Sequence, residues 1–203
     1  MIKASIHESG AYLKHIRRYV WFSALVYVGF MIIGYTIAQS YPEETAGYYD
    51  EIESYYGSID LDTSWELFIF IFQNNVRAML VAIALGVFAG LVPLFSLALN
   101  GIVIGLLASI ASQEYSWLVF ASSILPHGII EIPCFLIATA IGLMIGRAAL
   151  YKLFKKDAEV IDEAAGGIRF YISVLVPLLL IAAAVEAYIT PQIMGLALSV
   201  TGG

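Results

Sequence analysis

The chain has 203 residues, of which 61% are hydrophobic and only 13% charged, with a formal net charge of −6. A soluble domain carries about 25% charged residues. Half that share cannot coat a globule, so the apolar surface must face lipid. This excludes a free-standing soluble enzyme or sensor, and the lack of a basic patch to meet phosphates argues against a nucleic-acid partner. What remains is a single all-α membrane domain, 1–203, with room for about five spans of ~20 residues each.

Lys3, Lys14, Arg17 and Arg18 precede the first apolar run, 19–38. That run lacks the small-residue cleavage pattern of a signal peptide and is expected to be a true span. Residues 40–65 form an acidic, Tyr-rich loop punctuated by Pro42, Gly47 and Gly57. Within it, Glu43, Tyr48, Tyr49, Ile52, Tyr55 and Tyr56 have the spacing of a short amphipathic helix at the headgroups, with a solvated loop that merely contains tyrosines as the alternative. A second run covers 65–91, Pro93 and Ser96 mark a turn, and a third run covers 97–111. The fourth, 117–145, is too long for one straight span. The residue before a proline avoids the α region, so this segment is expected to break at Pro126. Residues 147–169 are expected to be a basic loop broken at Gly166-Gly167, and 170–189 to be the fifth span.

Nine of the ten Lys and Arg lie before Tyr19 or between Arg147 and Arg169, whereas eight of the sixteen Asp and Glu lie between Glu43 and Glu66. Positive loops stay cytoplasmic. The chain is therefore expected in the cell membrane as a multi-pass protein, with the N-terminus and the 147–169 loop inside, and the 40–65 loop and C-terminus outside. Cys134 lies in an apolar run and reads as a small hydrophobe.

Gly86–Gly90, Gly101–Gly105 and Gly142–Gly146 are three small-xxx-small patterns, which let helix backbones approach closely in lipid. They exceed the needs of one internal contact. A homo-oligomer is therefore expected, most simply a dimer, with its seam at Gly142–Gly146.

The sharper signal is polar. At about 1.5 Å per residue from Trp65 and Trp117, Arg77 lies roughly 18 Å deep, and His127 and Glu131 roughly 15 and 21 Å deep. Charges at that depth are normally paired or face a water-filled cavity. An Arg77–Glu131 pair is expected, with His127 one turn from Glu131 and with Gln73, Asn74 and Asn75 extending the polar face. Asn100 and Glu186 read as additional polar residues nearer the membrane ends.

Leu125-Pro126-His127-Gly128-Ile129-Ile130-Glu131-Ile132-Pro133, followed by Gly142 and Gly146, resembles the signature of the stage II sporulation protein M family of integral membrane proteins. Gln73-Asn74-Asn75-Val76-Arg77, Asn100-Gly101 with Gly105, and 184–191 resemble its other recurrent stretches, so the resemblance runs from about residue 17 to the end. In endospore formers, the resemblance implies, the namesake serves an engulfment complex at the septal membrane beside a peptidoglycan hydrolase; relatives also occur in organisms that do not sporulate.

The first functional reading is a scaffold in a membrane complex, in which a self-satisfied polar cluster fixes the packing and other membrane proteins are partners beside lipid. The alternative is a permease or channel component with an ion, proton or solute site at the Arg77, His127 and Glu131 cluster. Catalysis ranks below both. His127 and Glu131 at i, i+4 suit two metal ligands, but His7 and His15 precede the first span and supply no third. No enzyme activity and no cofactor are expected.

Overall fold

The computed structural model describes residues 6–45, 47, 63–114, 117–154 and 159–201. Among them every regular element is helical: α1 (Ile6–Ser40), α2 (Ser64–Ala84), a 3₁₀ turn (Leu85–Val87), α3 (Leu91–Glu114), α4 (Trp117–Leu153), α5 (Val160–Phe170), a π-helical stretch (Tyr171–Leu175), α6 (Val176–Tyr188) and α7 (Thr190–Thr201). Five helical segments are long and apolar enough to cross a membrane, the fifth running from Val160 to Tyr188 through α5, the π stretch and α6. Tyr48 to Tyr56, proposed above as an amphipathic helix, lie outside the described residues.

The spans obey the expected count, but several boundaries move. The division between the second and third spans falls at Ala89 (φ 57) and Gly90 (φ 75) rather than at Pro93, which sits in the first turn of α3. Proline's missing N–H costs nothing there, because first-turn donors have no helical partner. Of the charged stretch expected as a loop, Arg147 to Leu153 completes α4 and Val160 to Arg169 belongs to α5, with Gly166-Gly167 inside the helix. The chain also goes on after Ile189 as α7, beyond the five expected spans.

The expected break at Pro126 is absent. α4 is continuous for 37 residues with Pro126 and Pro133 inside it. It is the most enclosed of the five spans, and it packs against α1, α2, α3, α5, α6 and α7. Each proline removes one helical hydrogen bond, and packing on several sides outweighs that local loss, as is common in membrane helices.

Glycine organises the bundle. A Cβ at Gly86 would overlap the backbone of Gly142, one at Gly142 the Ala82 carbonyl, and one at Gly146 the backbone of Gly90. The pairs Gly86–Gly90 and Gly142–Gly146 thus lock α2 and its turn against α4 in parallel. A Cβ at Gly101 would come 2.7 Å from the Tyr27 carbonyl oxygen, and one at Gly105 would strike Met31, so α3 lies equally close and parallel to α1. All three patterns are used within one chain. Gly142–Gly146 is an internal contact, not a seam between copies, because α2 already occupies it. Around this frame Ile16, Met79, Ile83, Cys134, Ile141, Leu175 and Leu179 form the dry core. The Tyr171 hydroxyl at the π stretch donates to the Val76 carbonyl (2.6 Å), fastening that stretch to α2.

At one end α1, α4 and α5 are clamped together. His15 Nε2 meets Glu163 at 3.2 Å, Arg147 donates to the Tyr19 hydroxyl at 2.7 Å, and Arg147 lies over the Tyr151 ring at 4.6 Å. These contacts border a cavity of about 430 Å³. The clamp brings the 14–19 stretch of α1 to the same end as Arg147 and Glu163. At the opposite end the Phe68 and Tyr188 rings approach to 6.4 Å, joining the start of α2 to the end of α6.

Candidate functional site

Between the α1/α3 pair and α2, with α4 and α6 behind, lies a cavity of about 360 Å³. Its polar lining is Asn74 and Asn75 of α2, Asn100 of α3, His127 and Glu131 of α4, and Glu186 of α6, with the Tyr27 ring of α1 closing one wall. Asn74 and Asn100 are exposed, while His127, Glu131 and Glu186 are half-buried, so the polar groups run from a mouth to an interior.

Local helix geometry brings the ionisable groups together. His127 and Glu131 are four residues apart on one face of α4. Glu186 and Thr190 are likewise four apart, across the break at Ile189. α6 runs antiparallel to α4, which sets Glu186 beside Glu131 and Thr190 beside His127. The Thr190 Oγ1 to His127 Nδ1 distance is 3.5 Å, and one ligand atom from each of His127, Glu131 and Glu186 lies within 4.8 Å of the others. The Asn75 amide donates to the Glu131 carboxylate, and Asn75 Oδ1 accepts from Asn74 at 3.5 Å. Asn100 donates to the Ser96 carbonyl at 3.0 Å on its own helix. Tyr27 is held edge-on against Phe135, centroids 6.1 Å apart.

Arg77 does not join this cluster. It is exposed, it makes no ion pair among the described residues, and it is absent from the cavity wall. The reason is rotational. An α-helix turns about 100° per residue, so Arg77, two positions beyond Asn75, points well away from the side that Asn75 and Met79 present to the cavity. No Lys or Arg lines the cavity among the described residues. Glu186 and Asn100 enter it instead. Glu186 reads as peripheral because the apolar run ends at Ile189, but the antiparallel register of α6 on α4 sets it beside Glu131, and the chain continues as α7 packed on α4. Tyr27 also lines the cavity, and one tyrosine in an apolar run carries no sequence signal of its own.

An all-α bundle with five apolar spans around a polar cavity defines an integral, multi-pass membrane protein. The chain belongs to the stage II sporulation protein M family, whose pattern matches residues 23–191 and so includes every polar residue of the cavity. It is also 33% identical over 125 residues to an uncharacterized protein of Methanocaldococcus jannaschii, a match covering 61% of this chain and 70% of the relative. No solved structure matches it.

Proposed function

We propose that this protein is a cation-handling component of a membrane permease or channel, with the cavity at His127, Glu131 and Glu186 as its binding site. One observation supports this above a purely scaffolding role: two carboxylates and an imidazole from two helices converge within 4.8 Å in a cavity whose wall holds no Lys or Arg among the described residues. A cluster that served only to fix packing would balance its own charge, as an Arg–Glu pair does. Here only a bound cation, a proton included, offsets the carboxylates, and uncompensated charge at that depth is expensive. The cavity size falls within the ~300–1,000 Å³ range of small-ligand sites. No catalytic step is assigned to these residues.

The full chain reconstituted in proteoliposomes, with fluorescent indicators of protons or divalent cations inside, tests the reading. Flux under an imposed gradient is expected for the wild type, falling to the protein-free level in Glu131→Gln and Glu186→Gln. A wild type that passes no cation would return the protein to the scaffold reading. Two further proposals complete it. The end bearing His15, Arg147 and Glu163 faces the cytoplasm, with the C-terminus outside. The exposed Arg77 finds its counter-charge on a second copy of the chain, in a dimer.

A further inference from the structure

We infer that the cavity is a binding site for a first-row divalent transition-metal ion, held by His127, Glu131 and Glu186. This rests on the cation reading above and narrows it to one class of ion. The donor set itself makes the choice. Two carboxylates supply a charge that one divalent ion cancels, and an imidazole in the set favours Zn²⁺ or Mn²⁺ over Ca²⁺ and Mg²⁺, which take oxygen donors almost exclusively. Around an ion roughly 2.1 Å from each donor, tetrahedral ligand atoms lie about 3.4 Å apart. The three donors lie within 4.8 Å of one another, so small rotations of the two carboxylates close the set. All three residues line the cavity, which would leave room for water or a moving ion beside a bound metal.

The surroundings orient these donors. The Thr190 hydroxyl donates to the Val185 carbonyl (3.3 Å), so its oxygen is left to accept from His127 Nδ1–H (3.5 Å). With its proton on Nδ1, His127 would keep the Nε2 lone pair for an ion. Asn75 holds the Glu131 carboxylate by its amide, the outer-shell support that metal carboxylates ordinarily have. Cys134, the sole cysteine, is buried in the dry core and lies outside the donor set.

The test uses the metal-stripped full chain in detergent, titrated with Zn²⁺ and Mn²⁺ and, as controls, with Ca²⁺ and Mg²⁺. One Zn²⁺ or Mn²⁺ per chain is expected, with X-ray absorption showing nitrogen and oxygen donors, an imidazole signature and no sulfur. His127→Ala, Glu131→Gln and Glu186→Gln should each weaken binding about 100-fold or more, and Asn75→Ala about 10-fold. Arg77→Gln should leave it unchanged. The wild-type spectrum keeps the test decisive should a variant fail to fold. No stoichiometric binding, a sulfur donor, or affinity indifferent to the three ligand substitutions would overturn the site. Proton or sodium flux that depends on Glu131, in a protein that binds neither Zn²⁺ nor Mn²⁺, would overturn the metal and keep the permease reading. A bound metal without any flux would do the reverse.

Discussion

Arg77 and Glu131 stand at matching depths on neighbouring helices, yet they face different surroundings. Depth grows linearly with residue number, so it was legible in the sequence; azimuth depends on which neighbours a helix chooses, and it was not. The same distinction explains Glu186, whose azimuth against α4 only the antiparallel register reveals. His127, Glu131, Asn74 and Asn75 were named from the sequence and do line one cavity. Because Arg77 and Glu131 share no contact, Arg77→Gln and Glu131→Gln should act additively on thermal unfolding in detergent, within ~0.5 kcal/mol. Arg77→Gln alone should cost little, since exposed substitutions usually stay within about 0.5 kcal/mol, but it should lower the assembly mass seen by light scattering to that of a monomer. A coupling of more than about 1 kcal/mol would reinstate the direct pair, and a wild type already monomeric would remove the dimer.

Among the elements, the five apolar runs were readable because a bilayer demands long, uninterrupted hydrophobic stretches. The glycine patterns were readable as close-packing devices, but not as to what they pack against. Sequence spacing cannot tell a partner helix in the same chain from one in a second copy. The contacts of Gly86, Gly90, Gly142 and Gly146 settle this for α2 and α4, which removes the surplus of glycine on which the dimer seam was argued. Proline misleads for a related reason: its local cost of ~3 kcal/mol is modest against the packing around α4. Gly142→Leu should therefore force α4 off the Ala82 carbonyl and the Pro93 ring, at a cost of about 3 kcal/mol or more. Loss of folded protein is expected in a detergent thermal-stability assay, not release of a folded monomer. Gly29→Leu, in a span where a new side chain meets nothing within 4 Å, is the control and should change stability by less than ~0.5 kcal/mol. A well-folded Gly142→Leu chain would contradict the packing assigned to α2 and α4.

At the scale of the whole molecule, charge and fold bear on the same question from different directions. Nine of ten basic residues lie before Tyr19 or between Arg147 and Arg169, and the fold brings the described parts of those stretches to one end through the His15–Glu163 and Arg147–Tyr19 contacts. The acidic stretch between Glu43 and Glu66 joins the far ends of α1 and α2. A bundle with its charge segregated in this way has a preferred orientation, because basic loops near short spans are retained in the cytoplasm whereas acidic ones contribute little. Single cysteines at exposed positions read that orientation directly, since the native Cys134 is only 1% exposed and contributes little background. In intact cells a membrane-impermeant maleimide should label Glu43→Cys, while Lys152→Cys should react only after the membrane is permeabilised. Both residues are exposed, so a failure to label reflects the side of the membrane and not burial. Labelling of Lys152→Cys from outside, with Glu43→Cys protected, would invert the protein. It would also reverse the face from which a cation would reach the cavity proposed as its site.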